Sequence, residues 1–396
     1  MNILIAHNDY GKYSGEEAVV DKMKQMLTSR GHTVSRLQMS TAGIRDSLTG
    51  KIKGFAAGLH SPQGIRAMRE AIREFKPDVV NIHNLYPFIT PAALRECQKA
   101  GVPVVMTIHN FRLLCPTGLF MRNNQPCEVC LKNGNEWGCI RYNCENSLLK
   151  SIGYAARNAV ARKGRHYLDC VSHYACITDF QRRKLIEGGF PEERISVIPN
   201  AVDMTVNNDT LQGNYVAYSG RISREKGVDM IIEIARRHPE IPFRLAGVVR
   251  DKDLVDNLPH NVTLMGYLQG DELDNFYRDA RFFVMASRWY EGFPMTILEA
   301  ARFAKPMIAP NHGGFMEIIG EESADHVSDS IGLLFTPSDI LSLESCILQL
   351  WNSPTLVTEL GEKAKAKLIS TYSTEVVAEQ WEQLLQSLRQ KQDQQA

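Results

Sequence analysis

The chain has 396 residues, 44% of them hydrophobic and 23% charged, which fits a globular protein with ample core and a length suited to two domains. Lys+Arg and Asp+Glu balance at 45 each, so net charge singles out no nucleic acid, membrane or acidic partner. No apolar run approaches the roughly 18 residues of a membrane span, and MNILIAHNDY lacks the basic start of a signal peptide, so a cytoplasmic location is expected.

The elements then follow in chain order. NILIAH reads as a first strand and GEEAVVDKMKQMLTSRG as a helix, with Val19, Met23, Met26 and Leu27 on one face. Ser14 and Glu17 fit a capping box, and Gly31 fits the C-terminal stop. DVVNIH, the helix TPAALRECQKAG with Pro91 in its first turn, and VPVVMTIH come next. After an irregular stretch, a helix is expected near 147–163, then the strand YACIT, a helix near 179–188 and RISVIPN. AVDMTVNNDTLQGN is polar and turn-rich, as a linker is. The pattern restarts with YVAYSG, a helix 227–238, FRLAG, VTLMGYL, a helix 271–279 and RFFVMAS. A helix starting near Phe293, PMIAP and IGLLF follow. Such alternation predicts α/β architecture: two doubly wound, Rossmann-like domains, 1–200 and 201–373, facing a cleft. The last helix, 374–388, is expected to pack back on the first domain.

Ligands of such sheets bind at the carboxyl ends of strands. The dipeptide His-Asn stands at three of these ends, at His7-Asn8, His83-Asn84 and His109-Asn110. Any one pair can simply open a loop; three together suggest a polar wall, with His109, after the most central strand, as its substrate-contacting group. The loop DYGKYSGEEAVV has Gly11 and Gly15 before a helix N-terminus but is no GxGxxG fingerprint. In YSGRISREKG, Arg221 and Lys226 are placed to clamp a diphosphate, unless they are solvated surface cations.

SRWYEGFPMTILEA carries two glutamates, Glu291 in a loop after a strand and Glu299 inside the next helix. Pro294 suits that helix's first turn, and Met295, Leu298 and Phe303 suit its core face. Gly292 admits a ligand to the helix amides, and the two carboxylates then border one pocket, accepting hydrogen bonds from sugar hydroxyls. An ordinary helix glutamate is the alternative for Glu299, against which its apolar neighbours argue.

The chain resembles the retaining glycosyltransferases of family 4 (glycosyl transferases group 1), of GT-B fold. The matching elements are Ser14-Gly15, His109, PNAVD at 199–203, GRISREKG, and Glu291 and Glu299 in an E-x7-E motif. The resemblance implies that Arg221 and Lys226 bind the donor diphosphate, Glu299 the ribose, and Phe293, Pro294 and Met295 carry the backbone receiving the donor. Glu291 and His109 would flank the transferred sugar as the catalytic pair. Gly15 and Gly292 would contact the donor. It also implies transfer from a nucleotide-diphosphate sugar to a glycan or lipid-linked acceptor in cell-surface glycan synthesis, with retention and without a catalytic metal. Two departures are YSGEEA, where a double glycine is common, and LAGVVRDKD, which keeps Gly247 but lacks a second glycine. A sugar-nucleotide epimerase and a non-catalytic sugar-nucleotide binder are the alternative functions.

Two features lie outside this pattern. Between Asn146 and Leu168 there is no acidic residue, while Lys150, Arg157, Arg162, Lys163 and Arg165 all occur. Leu148, Leu149, Ile152, Ala156 and Val160 can share the other side, as in a helix at a membrane surface or an ordinary surface helix. No stacking aromatics accompany the cations, which argues against nucleic acid. Secondly, Cys115, Cys127, Cys130 and Cys144 have the form C-x11-C-x2-C-x13-C, expected to hold a structural zinc, with Cys139 a rival for the fourth place.

Overall fold

Alternation of two-residue period along short apolar strands accounts for both six-stranded sheets of the protein. The structure, a computed structural model, describes residues 1–9, 15–41, 54–55, 57–203, 213–320 and 330–394. Ser14 of the expected capping box, Gly11 of the first glycine loop and most of the linker lie outside these. The chain divides into two units, Met1–Phe120 with Glu128–Ala201 and Glu375–Ala396, and Met121–Cys127 with Val202–Thr374.

The strands are β1 (Asn2–Asp9), β2 (Thr33–Ser40), β3 (Val79–Ile82), β4 (Val104–Ile108), β5 (Met121–Arg122), β6 (Gln125–Pro126), β7 (His173–Cys176) and β8 (Ile195–Val197). β5 and β6 pair antiparallel with each other and belong to the second unit, where β9 (Val216–Ser219), β10 (Phe243–Ala246), β11 (Val262–Gly266), β12 (Phe282–Val284), β13 (Met307–Pro310) and β14 (Gly332–Phe335) follow. The first sheet runs β2-β1-β3-β4-β7-β8, with every neighbouring pair parallel. Along β1, Leu4 and Ala6 enter a core with Val80, Ile82 and Met106. Ile3 and Ile5 enter the opposite one with Val20, Met23, Met26, Leu27 and the last helix's Val377, Trp381 and Leu385. Each aliphatic side chain so buried contributes about 1.5–3 kcal/mol, which is why strands covered on both faces read as unbroken apolar runs. On the first helix, Gly15–Ser29, Met23, Met26 and Leu27 are buried as expected, and Val20 is buried with them, while Val19 is only partly covered.

The second sheet runs β11-β10-β9-β12-β13-β14, again all parallel. Val216, Tyr218, Phe282, Val284 and Ile308 face one core. Tyr215, Ala217, Phe283, Met307 and Ala309 face the other, with Leu298 and Phe303. Met295 packs at its margin. In each sheet the strand order reverses once, between β1 and β3 and between β9 and β12. These are the switch points at whose carboxyl ends doubly wound sheets open a crevice for ligands.

Candidate functional site

At the switch point of the second sheet, the loop after β9 meets the loop after β12. Gly227 adopts φ +70°, and a Cβ there would stand 2.0 Å from the Ala286 carbonyl oxygen. Only glycine permits this approach. It brings Lys226, from the first loop, onto Glu291, from the second, as an ion pair. The same Glu291 oxygen, Oε1, accepts from Ser287 Oγ at 2.7 Å and Trp289 Nε1 at 2.6 Å. Burial by itself would raise the Glu291 carboxyl; the Lys226 charge and the three donors outweigh it and hold the group below the ordinary range. Trp289 also lies under both cations, its ring 4.9 Å from Lys226 Nζ and 5.6 Å from the Arg221 guanidinium carbon. Arg221 is exposed, with Glu225 at 3.7 Å. Arg288 braces the loops, bonding both oxygens of Asp229 at 2.7 and 2.8 Å.

Pro294 caps the helix Met295–Arg302, so the helix begins at Met295, two residues beyond the expected Phe293. Phe293 meets Tyr372 edge to face at 5.7 Å. The Glu291 carbonyl accepts from Gly314 N–H at 3.2 Å. About one turn into the helix, Glu299 Oε2 accepts from Tyr277 Oη at 2.5 Å. Burial raises the Glu299 carboxyl, and the Tyr277 bond only partly opposes it. Close by, the ends of β9 and β10 touch: a Cβ on Gly247, at φ +140°, would lie 1.8 Å from the Gly220 oxygen. That explains the single retained glycine of LAGVVRDKD.

At the switch point of the first sheet, the three His-Asn pairs divide their work. The asparagines tie loops: Asn8 N–H donates to the Asn84 carbonyl at 2.7 Å, and Asn84 Nδ2 returns a bond to the Asn8 carbonyl at 2.8 Å. Asn110 Oδ1 accepts from Arg112 N–H at 3.0 Å. The histidines converge. His83 Nδ1 lies 2.7 Å from His109 Nε2, with the rings stacked at 5.0 Å, and His7 stands edge-on to His83 at 6.4 Å. Among the described residues, no protein group bonds the buried Nε2 of His83. A buried acceptor left unmet costs less than an unmet N–H. His83 is therefore assigned the Nδ1–H tautomer, donating to His109 Nε2, which leaves neutral His109 its proton on Nδ1. Burial lowers His109 to about 4, so it is neutral at physiological pH. His109 follows β4, one of the sheet's two central strands. Gly15 opens the first helix with open space where a Cβ would be, so packing does not demand a glycine there.

The expected zinc ligands are not gathered: among the described residues, no three His, Cys, Asp or Glu side chains form a metal site. Cys127 ends a segment, Met121–Cys127, grouped with the second unit, whereas Cys115, Cys130, Cys139 and Cys144 belong to the first. The thiol that meets Cys144 is that of the rival, Cys139, pushed up by this bond and then by burial, with Cys130 and Cys115 also near enough to act on it. Of the five cations near the long helix Leu148–Lys163, Arg157 turns inward, stacking 3.9 Å over Tyr154 and 4.6 Å over Tyr86 and donating to the Pro116 carbonyl at 2.9 Å.

The roles of Trp289, Ser287 and Tyr277, and the bond between His83 and His109, emerge only from the structure. Trp289 stood in view, two residues before Glu291; Tyr277 lies on another helix, with no signal of its reach.

Residues 13–206 match the family described as Glycosyltransferase Family 4, and residues 203–367 match Glycosyl transferases group 1. With two parallel sheets flanked by helices, this defines a glycosyltransferase of GT-B fold. The chain belongs to the glycosyl transferases group 1, family 4. An uncharacterised glycosyltransferase of Methanocaldococcus jannaschii is 29% identical over 51% of this chain and 57% of its own. The poly(ribitol-phosphate) α-N-acetylglucosaminyltransferase of Staphylococcus aureus is 27% identical over 65% of this chain and 52% of its own. The chain thus spans little more than half the length of these two relatives. The sucrose-phosphate synthase structure from Thermosynechococcus elongatus shares the fold with a TM-score of 0.70, at 16% identity over 98% of each chain. Anabaena HepE, in complex with UDP and glucose, does so with a TM-score of 0.65, at 17% identity over 98% of this chain and 100% of its own. Among the described residues, no helix is long and apolar enough to cross a membrane.

Proposed function

We propose that the chain is a retaining hexosyltransferase that moves a sugar from a nucleotide-diphosphate donor to a glycan or lipid-linked acceptor, without a catalytic metal, in cell-surface glycan synthesis. The observation that carries this reading is the Lys226–Glu291 pair at the second switch point, held by Ser287 and Trp289. When the bond between the anomeric carbon and the diphosphate oxygen breaks, its electron pair leaves with the diphosphate. Arg221, Lys226 and the free amides at the start of the helix Met295–Arg302 meet that charge in place. Glu291 orients the transferred sugar through its hydroxyls, and Glu299, already bonded by Tyr277, takes the ribose hydroxyls. His109 is the substrate-contacting group of the first unit. A nucleotide-sugar donor is supported by the UDP complexes of Anabaena HepE, and a cell-surface acceptor by the polyol-phosphate polymer in the Staphylococcus relative's name.

A panel of UDP-, GDP-, ADP- and dTDP-sugars, titrated by calorimetry and followed by assay of nucleotide-diphosphate release, tests the reading. Tight binding of one donor with slow release of its nucleotide diphosphate is expected, faster on adding acceptor. Arg221→Ala should weaken the diphosphate and spare the free nucleoside. An altered sugar on an intact nucleotide would mark an epimerase instead, and binding with no turnover a non-catalytic protein.

We also propose a structural zinc in the cysteine-rich segment, with Cys139 beside Cys144 in place of Cys127. The support is that Cys144 N–H donates to the Cys139 carbonyl at 3.1 Å, while the sulfurs of Cys130 and Cys144 both lie against Gly138, the residue before Cys139. Side-chain rotation would have to bring the sulfurs together, and the ion would order the segment and perform no chemistry.

A further inference from the structure

The helix Leu148–Lys163 is built inside out. Its buried face consists of Ser151, Gly153, Ala155, Asn158 and Ala161, small or polar residues. Its large apolar residues face solvent: Leu149 is 71% exposed, Leu148 57%, Val160 46% and Ile152 40%. At 100° per residue these fall within one outward stripe, together with Ala156 and Lys163. Trp137, on the short helix packed against this one, is 71% exposed as well. A run of exposed leucine, isoleucine and valine on one helix face is an interaction surface and not ordinary scatter.

Charge identifies what covers it. The inward Arg157 and the Arg162–Glu136 pair leave Lys150 and Lys163 exposed, and neither forms an ion pair among the described residues. No acidic residue lies on this helix. Lysine stems can lie along the apolar stripe with their ammonium groups raised beside it. A second copy fits poorly. Antiparallel pairing would set Lys163 of one copy beside the turn holding Lys150 of the other, and parallel pairing would oppose each lysine with itself. An anionic lipid surface satisfies both features: the stripe enters the boundary between headgroups and acyl chains, and the lysines meet phosphate.

We propose that the Leu148–Lys163 face docks the protein on anionic bilayers. It rests on the glycosyltransferase reading only in that a lipid-linked acceptor would lie in that bilayer. The test is co-sedimentation with phosphatidylcholine vesicles made with and without phosphatidylglycerol. Binding at least about tenfold stronger to the anionic vesicles, weakened by salt, is expected. The double variant Leu149→Glu/Ile152→Glu should lose it, with melting temperature, nucleotide-diphosphate affinity and donor hydrolysis unchanged, since all of these sites lie elsewhere. Equal sedimentation of variant and wild type, or none with either vesicle, overturns the proposal. So does a dimer in light scattering that the variant dissolves, which would assign the face to a second copy. Intact donor hydrolysis alongside failed sedimentation would sink this inference alone.

Discussion

Trp289 Nε1 lies 2.6 Å from Glu291 Oε1, while the same indole lies beneath Lys226 and Arg221. One side chain therefore orients the carboxylate and both cations of the proposed donor site. Trp289→Phe removes the N–H and keeps a ring for the cations. Hydrogen bonds to charged groups are worth about 1.5–3 kcal/mol. Because Ser287 and Lys226 still hold Glu291, the lower end is expected, roughly a tenfold fall in kcat with KM for the donor little moved. Trp289→Leu should also raise KM, since both cation–π contacts go. Equal kinetics for Trp289→Phe and wild type would leave the indole N–H without a positioning role.

The Lys226–Glu291 pair makes a second outcome specific. Lys226 is shared between Glu291 and any incoming phosphate, so Glu291→Gln frees its full charge for the ligand. Nucleotide-diphosphate affinity should rise a few-fold by calorimetry while turnover falls, because the oxygen left to accept from the sugar becomes an amide NH2, a donor. Lys226→Ala should lower both affinity and turnover. A parallel fall of affinity in both variants would mean that Glu291 supports the phosphate site only structurally.

Much of this was legible in the sequence, for a physical reason. Strands buried on both faces, such as Ile3–Ala6 and Phe282–Val284, announce themselves as apolar runs, and loops at their ends carry the charged groups. The edge strand Thr33–Ser40 makes no apolar run, because its polar residues stay partly wet. The helices Pro62–Phe75, which Ser61 caps, Ile340–Asn352 and Pro354–Lys367 lie outside the alternation that the sequence announces. The paired loops were legible one at a time; that Gly227 presses one onto the other was not, since contact across 65 residues leaves no spacing to read.

His83 is expected to act on transfer through His109. His83→Phe keeps a stacked ring and removes the Nδ1–H that fixes the His109 tautomer. Turnover should fall while KM for the donor stays near wild type, and the acid limb of the pH–rate profile should move. His109→Ala should cut transfer more deeply, with the fold intact. Were His83→Phe to lower the melting temperature sharply at unchanged turnover, the pair would be a packing device alone.

The cysteine-rich segment yields a metal prediction. Protein purified without added metal should hold near one zinc per chain, and chelation should make residues 115–144 protease-sensitive. Cys139→Ser and Cys144→Ser should lose the metal, whereas Cys127→Ser should keep it. Metal-free protein with a protease-resistant segment would remove zinc from the account, and metal loss in Cys127→Ser alone would restore the spacing-based ligand set.

The buried histidines set the pH response of stability. Burial lowers His109 and His173 to about 4 from the ordinary 6.5, and lowers His7 and His83 as well. Between those values the unfolded chain binds protons that the folded chain refuses. The stability these rings contribute is therefore full above about pH 6.5, falls as pH drops toward 4, and levels out for His109 and His173 below it. Depressed carboxylates add to the loss only lower, as with Glu96, held at about 2 by its bonds from Arg69 and Lys99. In the span from pH 6.5 to 5 the imidazoles lower stability, opposed by Glu299 and Glu145, whose carboxyls burial raises so that the folded chain takes up their protons first. Thermal melts in this span should show a steadily falling midpoint. His173→Gln, which keeps a polar partner for Ser196 at the 2.9 Å contact and touches no proposed site residue, should flatten the slope. An unchanged slope in the variant would show that the His173 ring charges without cost in the folded protein.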